Sequence, residues 1–198
     1  NGSCCVIGSQ AINIKRGMRF FENDGCATMG YGLPAAIGAC IAAKREIYCL
    51  EGDGSLQMNI QELQTLKTYN LPVKMVYINN EGYHSIRQSQ SNYFDTFVGI
   101  GPQSGDLSFP DMEKIAWAYG IPYMRIENNG QIEEKCRQFI THEGHVICEV
   151  MCDKEQFFEP KLTSRQLEDG SFASPDLSDM YPFLPRDEYE ERMSISKE

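Results

Sequence analysis

EGDGSLQMNIQ, residues 51–61, follows the apolar run Ile47-Tyr48-Cys49-Leu50 without a break. Two glycines flank Asp53, and Ser55 stands just behind it. A short apolar run that ends in glycine-bounded polar residues reads as a buried strand opening into a tight turn. A second run of the same kind, VKMVYIN (residues 73–79), opens into Asn79-Asn80-Glu81-Gly82. Between the two, Asn59-x-x-Glu62 is a capping-box variant that predicts a helix starting at Asn59, with Ile60, Leu63 and Leu66 as its apolar stripe and Pro72 beyond its end. Strand, helix, strand is the unit from which parallel sheets are built.

Working outward, the alternation continues. Cys4 to Ile7 reads as a short strand, and the Ala- and Gly-rich segment 30–43, GYGLPAAIGACIAA, as a closely packed helix with Pro34 in its first turn. Residues 80–107 are polar, rich in Gly, Ser, Gln and Asn, and too long for a plain connection, which marks them as a functional loop. Ser108-x-x-Asp111 predicts a helix start, and that helix carries Ile115, Ala116 and Tyr119 and ends at Gly120. IPYMRI is a strand, 130–141 a helix with Ile132, Cys136, Phe139 and Ile140 inward, and HVICEVM (residues 145–151) the closing strand. The expected fold is therefore α/β, a doubly wound parallel sheet with helices on both faces, over residues 1–158. Residues 159–198 lose the pattern and are expected to form an irregular, extended C-terminal arm made adhesive by Tyr181, Phe183 and Leu184.

Bulk composition narrows the function. At 198 residues and a net charge of −10, the chain suits one ordinary domain and disfavours nucleic acid or an anionic membrane, which need clustered Lys and Arg. No apolar run approaches the roughly 20 residues of a membrane span. Of the eight cysteines, Cys40, Cys49, Cys136 and Cys148 lie in apolar segments and no CxxC pair occurs, so they read as reduced core thiols in a cytosolic protein. His142 and His145 read as structural, at a helix end and the turn after it. The chain opens on Asn1 with no signal-peptide pattern and reads as a piece of a longer polypeptide.

In a parallel sheet, ligands bind at the carboxyl ends of the strands. If the two opening strands are neighbours, Asp53 and Asn80 converge there. A carboxylate, an amide oxygen and a backbone carbonyl are hard donors that suit Mg²⁺ or Ca²⁺, and N–H groups near Ser55 suit a phosphate. Neither a G-x-G-x-x-G fingerprint nor a G-K-[ST] loop is present. Each turn alone is commonplace; the pair, each at the end of an apolar strand, points to function.

The segment from Gly52-Asp53-Gly54-Ser55 to Asn79-Asn80 resembles the paired GDGS and NN motif of thiamine diphosphate enzymes, and CATMGYGLPAAIGACIAA (residues 26–43) is similar to the pyrimidine-holding segment of their acetolactate-synthase-like members. The resemblance covers roughly residues 1–155, the domain that binds the cofactor's diphosphate. It implies Mg²⁺ held by Asp53, Asn80 and the carbonyl of Gly82, with Gly52, Gly54, Ser55 and Tyr83 around the diphosphate. It also implies that Met29 wedges the thiazolium against the aminopyrimidine, with Ala27 and Thr28 beside it; on the residues alone, Met29 reads as core packing.

The same resemblance implies what lies elsewhere. The glutamate that activates the pyrimidine belongs to an N-terminal pyrimidine-binding domain, in the same gene or on a partner subunit, so this chain alone is expected to be inactive and the whole enzyme a homodimer or homotetramer. Where acetohydroxyacid synthases carry a tryptophan after the glutamine at Gln88, this sequence has Ser89, which argues against branched-chain amino-acid synthesis. Tyr83, His84 and Arg87 are candidates to face a 2-oxoacid substrate, with Arg87 suited to a carboxylate and His84 to acid or base work, and Gln88 joins His84 and Arg87 as a catalytic candidate. The expected activity is decarboxylation of a 2-oxoacid with transfer or ligation of the acyl unit. A simple 2-oxoacid decarboxylase and a catalytically silent cofactor-binding or assembly module are the alternatives.

Overall fold

Apolar residues make up most of the four main strands, and all four run parallel in a computed structural model that describes residues 2–94, 96–166 and 169–195. They are β1 (Ile47–Gly52), β2 (Val73–Asn79), β3 (Tyr123–Ile126) and β4 (Val146–Met151), in the sheet order β1-β2-β4-β3. Side chains alternate between the two faces, as strand geometry requires. Val73, Met75, Tyr77 and Ile147 join one core with α2 (Gly32–Ala43), α4 (Glu62–Thr68) and α6 (Met112–Tyr119). Val76, Val146, Cys148 and Val150 join a second core with Phe139 and Cys136 of α7 (Ile132–Thr141). Helices thus cover both faces, and the fold expected from the sequence is the one observed.

Several local expectations are corrected. Cys4 to Ile7 is not a strand but part of α1 (Ser3–Ala11), which buries Cys4 and Gly8, a helical spacing. The helix expected from Asn59 instead begins at Asp53: α3 (Asp53–Leu56) passes through a tight turn at Gln57–Asn59 toward α4. Asn59 does not cap α4: its Oδ1 accepts from Gln61 Nε2 at 3.2 Å, and its Nδ2 donates to the carbonyl of Gly30 at 2.8 Å. Leu63 and Leu66 are buried as expected. The start of α6 is capped by Asp111, not Ser108; its side chain accepts from the N–H of Lys114, and Gly120 ends the helix in the left-handed conformation. On α7, Phe139 is buried, but Ile132 and Ile140 face solvent.

The largest difference is in the long loop. Within residues 80–107 lies a helix, α5 (His84–Tyr93), whose buried residues are His84, Arg87 and Gln88. Apolar periodicity finds helices that bury apolar faces, and this one buries a polar face.

One compact unit ends at Gln156 and a second begins at Phe157. The second holds a short antiparallel pair, β5 (Arg165–Gln166) and β6 (Phe172–Ala173), and the helix α8 (Arg186–Ile195) in otherwise irregular chain. Position 95 of the long loop and positions 167, 168 and 196–198 of the expected arm lie outside the described residues. All eight cysteines are free thiols. No helix among the described residues is long and apolar enough to cross a membrane.

Candidate cofactor and metal site

Since β1 and β2 are hydrogen-bonded neighbours with Gly52 opposite Ile78, the residues that follow each strand emerge side by side at the sheet's carboxyl edge. Asp53 opens α3 and is buried, and Asn80 is buried beyond the end of β2. They line one cleft of about 220 Å³, together with Gly52, Gly54, Ser55, Gly82, Tyr83, His84 and Met29. Ser3 lines it too.

The two turns are tied directly. Asp53 Oδ2 accepts from the N–H of Gly82 at 2.8 Å, and Oδ1 from the N–H of Gly54 at 2.6 Å. Burial pushes the Asp53 carboxyl up to about 6, against the pull of those two N–H groups, of the Asn80 backbone N–H and of the Arg87 guanidinium. No ion pair holds Asp53 among the described residues, and the nearby Arg87 charge offsets only part of the cost of burying the carboxylate. Asn80 donates its Nδ2 to Ser3 Oγ at 3.0 Å, which leaves Oδ1 as the amide atom open to a cation. The Gly82 carbonyl accepts from the N–H of His84 at 3.0 Å across Tyr83, whose φ of −82° and ψ of 81° make an inverse γ-turn. A carbonyl has two lone pairs, so one remains.

Two glycines are required by geometry. A Cβ on Gly54 would stand 2.2 Å from the ring of Tyr83, so the missing side chain makes room for that ring, which also meets Phe109 edge-on at 5.8 Å. Gly82 has φ of +122°, and a Cβ there would stand 1.9 Å from the carbonyl oxygen of Ile100.

The segment before α2 is fastened to this turn. Ser55 Oγ accepts from the N–H of Gly30 at 2.9 Å. Glu51, fully buried on β1, accepts from the N–H of Leu33 at 3.1 Å and so satisfies a donor in the first turn of α2, where no flanking side chain does. Met29 is about one-third exposed and lines the cleft. Thr28 lines a neighbouring cavity of about 510 Å³, and Ala27, with φ of 50°, is exposed outside the cleft lining.

The three candidates on α5 separate. His84 is in the cleft lining; Arg87 and Gln88 are buried behind it. The Arg87 guanidinium donates to the carbonyls of Asn80 (3.2 Å), Lys154 (3.0 Å) and Glu81 (2.6 Å). Gln88 Nε2 has no hydrogen-bond partner among the described residues. On the other side of the loop, Asn79 accepts from the N–H of Glu81 at 3.1 Å and donates to Glu149 at 2.7 Å. Glu149 is fully buried and also binds the Tyr123 hydroxyl and Arg125. Sequence reasoning missed Ser3, Glu51 and Glu149. None of them has a local signal, because each acts through a partner more than ten residues away.

Comparison with known proteins identifies the family. Residues 1–150 match the family described as thiamine pyrophosphate enzyme, C-terminal TPP binding domain. The chain is 33% identical over 162 residues to acetolactate synthase, chloroplastic, of Arabidopsis thaliana, covering 79% of this chain and 24% of that protein. It is 33% identical over 155 residues to the acetolactate synthase isozyme 1 large subunit of Escherichia coli K12, covering 78% and 27%. With the acetolactate synthase large subunit of Cyanidium caldarium the identity is 36% over 141 residues, covering 70% and 23%. The chain thus spans about a quarter of the length of these relatives. It belongs to the thiamine pyrophosphate enzymes, as a C-terminal TPP-binding domain of the acetolactate-synthase-like kind.

Proposed function

We propose that this domain holds Mg²⁺ and the diphosphate of thiamine diphosphate for an enzyme that decarboxylates a 2-oxoacid and passes the acyl unit to an acceptor. The observation that carries this reading is the convergence of Asp53 and Asn80 from adjacent strand ends, with Gly82 bonded to Asp53 in the same cleft. The donor set fits the ion: a buried carboxylate, an amide oxygen and a backbone carbonyl are what Mg²⁺ takes alongside phosphate oxygens and water. Asp53, Asn80 and the Gly82 carbonyl would hold the metal. Ser55 Oγ uses one lone pair to accept from the N–H of Gly30 and keeps its hydroxyl proton to donate to a diphosphate oxygen. The turn at Gly52 and Gly54 brings backbone close to the same oxygens.

Met29 would support the rings from the cleft wall, with Ala27 and Thr28 turned to the pyrimidine from the same segment. His84 would exchange a proton with the substrate. Thiamine diphosphate, when bound, supplies the carbanion chemistry; the domain supplies position and charge. An N-terminal pyrimidine-binding domain, in a homodimer or homotetramer, would complete the site, and the free thiols favour a cytosolic setting.

Calorimetric titration of the chain with thiamine diphosphate tests the reading. Binding is expected in Mg²⁺, and is expected to vanish in EDTA and in Asp53→Ala and Asn80→Ala. Equal binding with and without Mg²⁺ would sink it. Supplying the N-terminal domain and pyruvate, with product analysis, then separates release of an aldehyde from transfer to an acceptor.

A further inference from the structure

We propose that Arg87 is a positioning residue for the cation site, holding the Asn80–Gly82 loop in the one conformation that presents Asp53 and Gly82 together. The proposal rests on the function proposed above, because it assigns that site its support.

The loop needs support. Glu81 has φ of 56°, a left-handed conformation that costs a non-glycine residue roughly 1–2 kcal/mol. Its N–H is held by Asn79 Oδ1. Its two flanking peptide units are held by Arg87: Nη1 takes the carbonyl of Asn80, and Nη2 that of Glu81. A planar guanidinium fork serves two successive carbonyls at once, which an ammonium does not do with the same geometry.

The peptide unit between Glu81 and Gly82 is planar, with its C=O and N–H pointing in opposite directions. Arg87 holds the C=O end and Asp53 Oδ2 holds the N–H end, at 2.6 and 2.8 Å. Arg87 therefore reaches Asp53 through one rigid plane. A third bond, to the carbonyl of Lys154 at 3.0 Å, anchors the guanidinium to the chain just beyond β4. Arg87 is 4% exposed and does not line the cleft, so substrate contact is not its task in this arrangement.

Positioning has a competitor with the opposite sign. A buried guanidinium near a cation site repels the metal, and its removal would then tighten Mg²⁺ binding. Two variants separate the effects: Arg87→Met removes fork and charge, and Arg87→Lys keeps the charge without the fork. Lys74→Met, at a buried cation bound to Glu46 and the Ile140 carbonyl, controls for general destabilisation.

Mg²⁺ affinity is measured on the full chain by calorimetry with thiamine diphosphate present, and amide exchange by NMR on the metal-free chain. Arg87→Met should weaken Mg²⁺ binding about 10–100-fold, the usual effect of losing a group that orients a metal ligand. Arg87→Lys should fall between it and the wild type, and Lys74→Met should match the wild type. The Gly82 amide should exchange at least about tenfold faster in both Arg87 variants, with the β2 amides unchanged. Tighter or unaltered Mg²⁺ binding in a folded variant, or unchanged Gly82 exchange, would overturn the proposal. Should Arg87→Met not fold, Arg87→Lys is judged by the same criteria. The exchange measurement needs no metal, so a wild-type chain that binds no Mg²⁺ removes the proposed function while Gly82 still decides on Arg87.

Discussion

The helices α2 and α5 bury residues at the same helical spacing but of opposite kind. Buried on α2 are Leu33, Ala36, Ile37 and Cys40, spaced at i, i+3, i+4 and i+7. On α5 the buried residues are His84, Arg87 and Gln88, also at i, i+3 and i+4. The first face stabilises the domain by removing hydrocarbon from water. Burying the second costs desolvation, offset only where each polar group finds a partner. Arg87 Nη1 and Nη2 reach three backbone carbonyls, whereas Arg87 Nε and Gln88 Nε2 find no partner among the described residues. A fold keeps such a face when the site next to it needs polarity, so α2 is read as framework and α5 as part of the functional edge.

The comparison breaks first at Leu33. This side chain is fully buried in the main core, and Leu33→Ala should cost about 3 kcal/mol in urea unfolding, within the range for buried leucines. A loss below about 1 kcal/mol would mean that α2 is not the framework element. Next comes Gly54→Ala. In a helical turn, alanine alone would gain roughly 0.5–1 kcal/mol over glycine. Here its Cβ would meet the Tyr83 ring at 2.2 Å, and overpacking of roughly 1–3 kcal/mol should win. The check is a double-mutant cycle: adding Gly54→Ala to Tyr83→Ala should no longer destabilise, because the obstructing ring is gone.

The same contrast explains what was legible in the sequence. Apolar runs marked β1, β2, β3 and β4, and the Ala-rich stripe marked α2, because a framework advertises itself through hydrophobic period. The metal-site candidates were legible because Asp53 and Asn80 follow those runs directly. α5 is hidden because its buried residues are polar, and the glycine-bounded Asp53 reads as a turn although helix begins there. Asn59 fits a capping pattern but is drawn to Gly30, a partner 29 positions away. Glu51 and Glu149 are acids in strands, and nothing local says that one holds α2 while the other holds Asn79.

A smaller effect separates the two regions by pH. The Asp53 carboxyl is raised by burial to about 6 from an ordinary 3.8, so the folded chain binds a proton more tightly than the unfolded chain. Stability from this group is therefore fully present below the unfolded value and is lost as pH rises through about 6. Between pH 5 and pH 7 the metal-free wild type should lose about 1 kcal/mol relative to Asp53→Asn. Mg²⁺ with thiamine diphosphate should reverse the trend, since a metal binds the carboxylate and competes with the proton. Parallel pH profiles for wild type and variant in metal-free buffer would remove Asp53 as a strained acid.

The smallest effect is the most diagnostic of α5. Gln88 is 7% exposed, and its unpartnered Nε2 forgoes a hydrogen bond that water would supply in the unfolded chain. Gln88→Met has nearly the same length and removes the orphaned donor, so stability should hold or rise by up to about 1 kcal/mol. The comparable loss of a leucine on α2 goes the other way. If Gln88 is kept for chemistry, the stabilised variant should bind Mg²⁺ and thiamine diphosphate as the wild type does, yet fail in turnover once the N-terminal domain is supplied. If turnover is unaffected, the amide serves neither substrate nor fold. A loss of stability would show that the Gln88 amide does have a partner, so that this side chain holds α5 in place as the leucine holds α2.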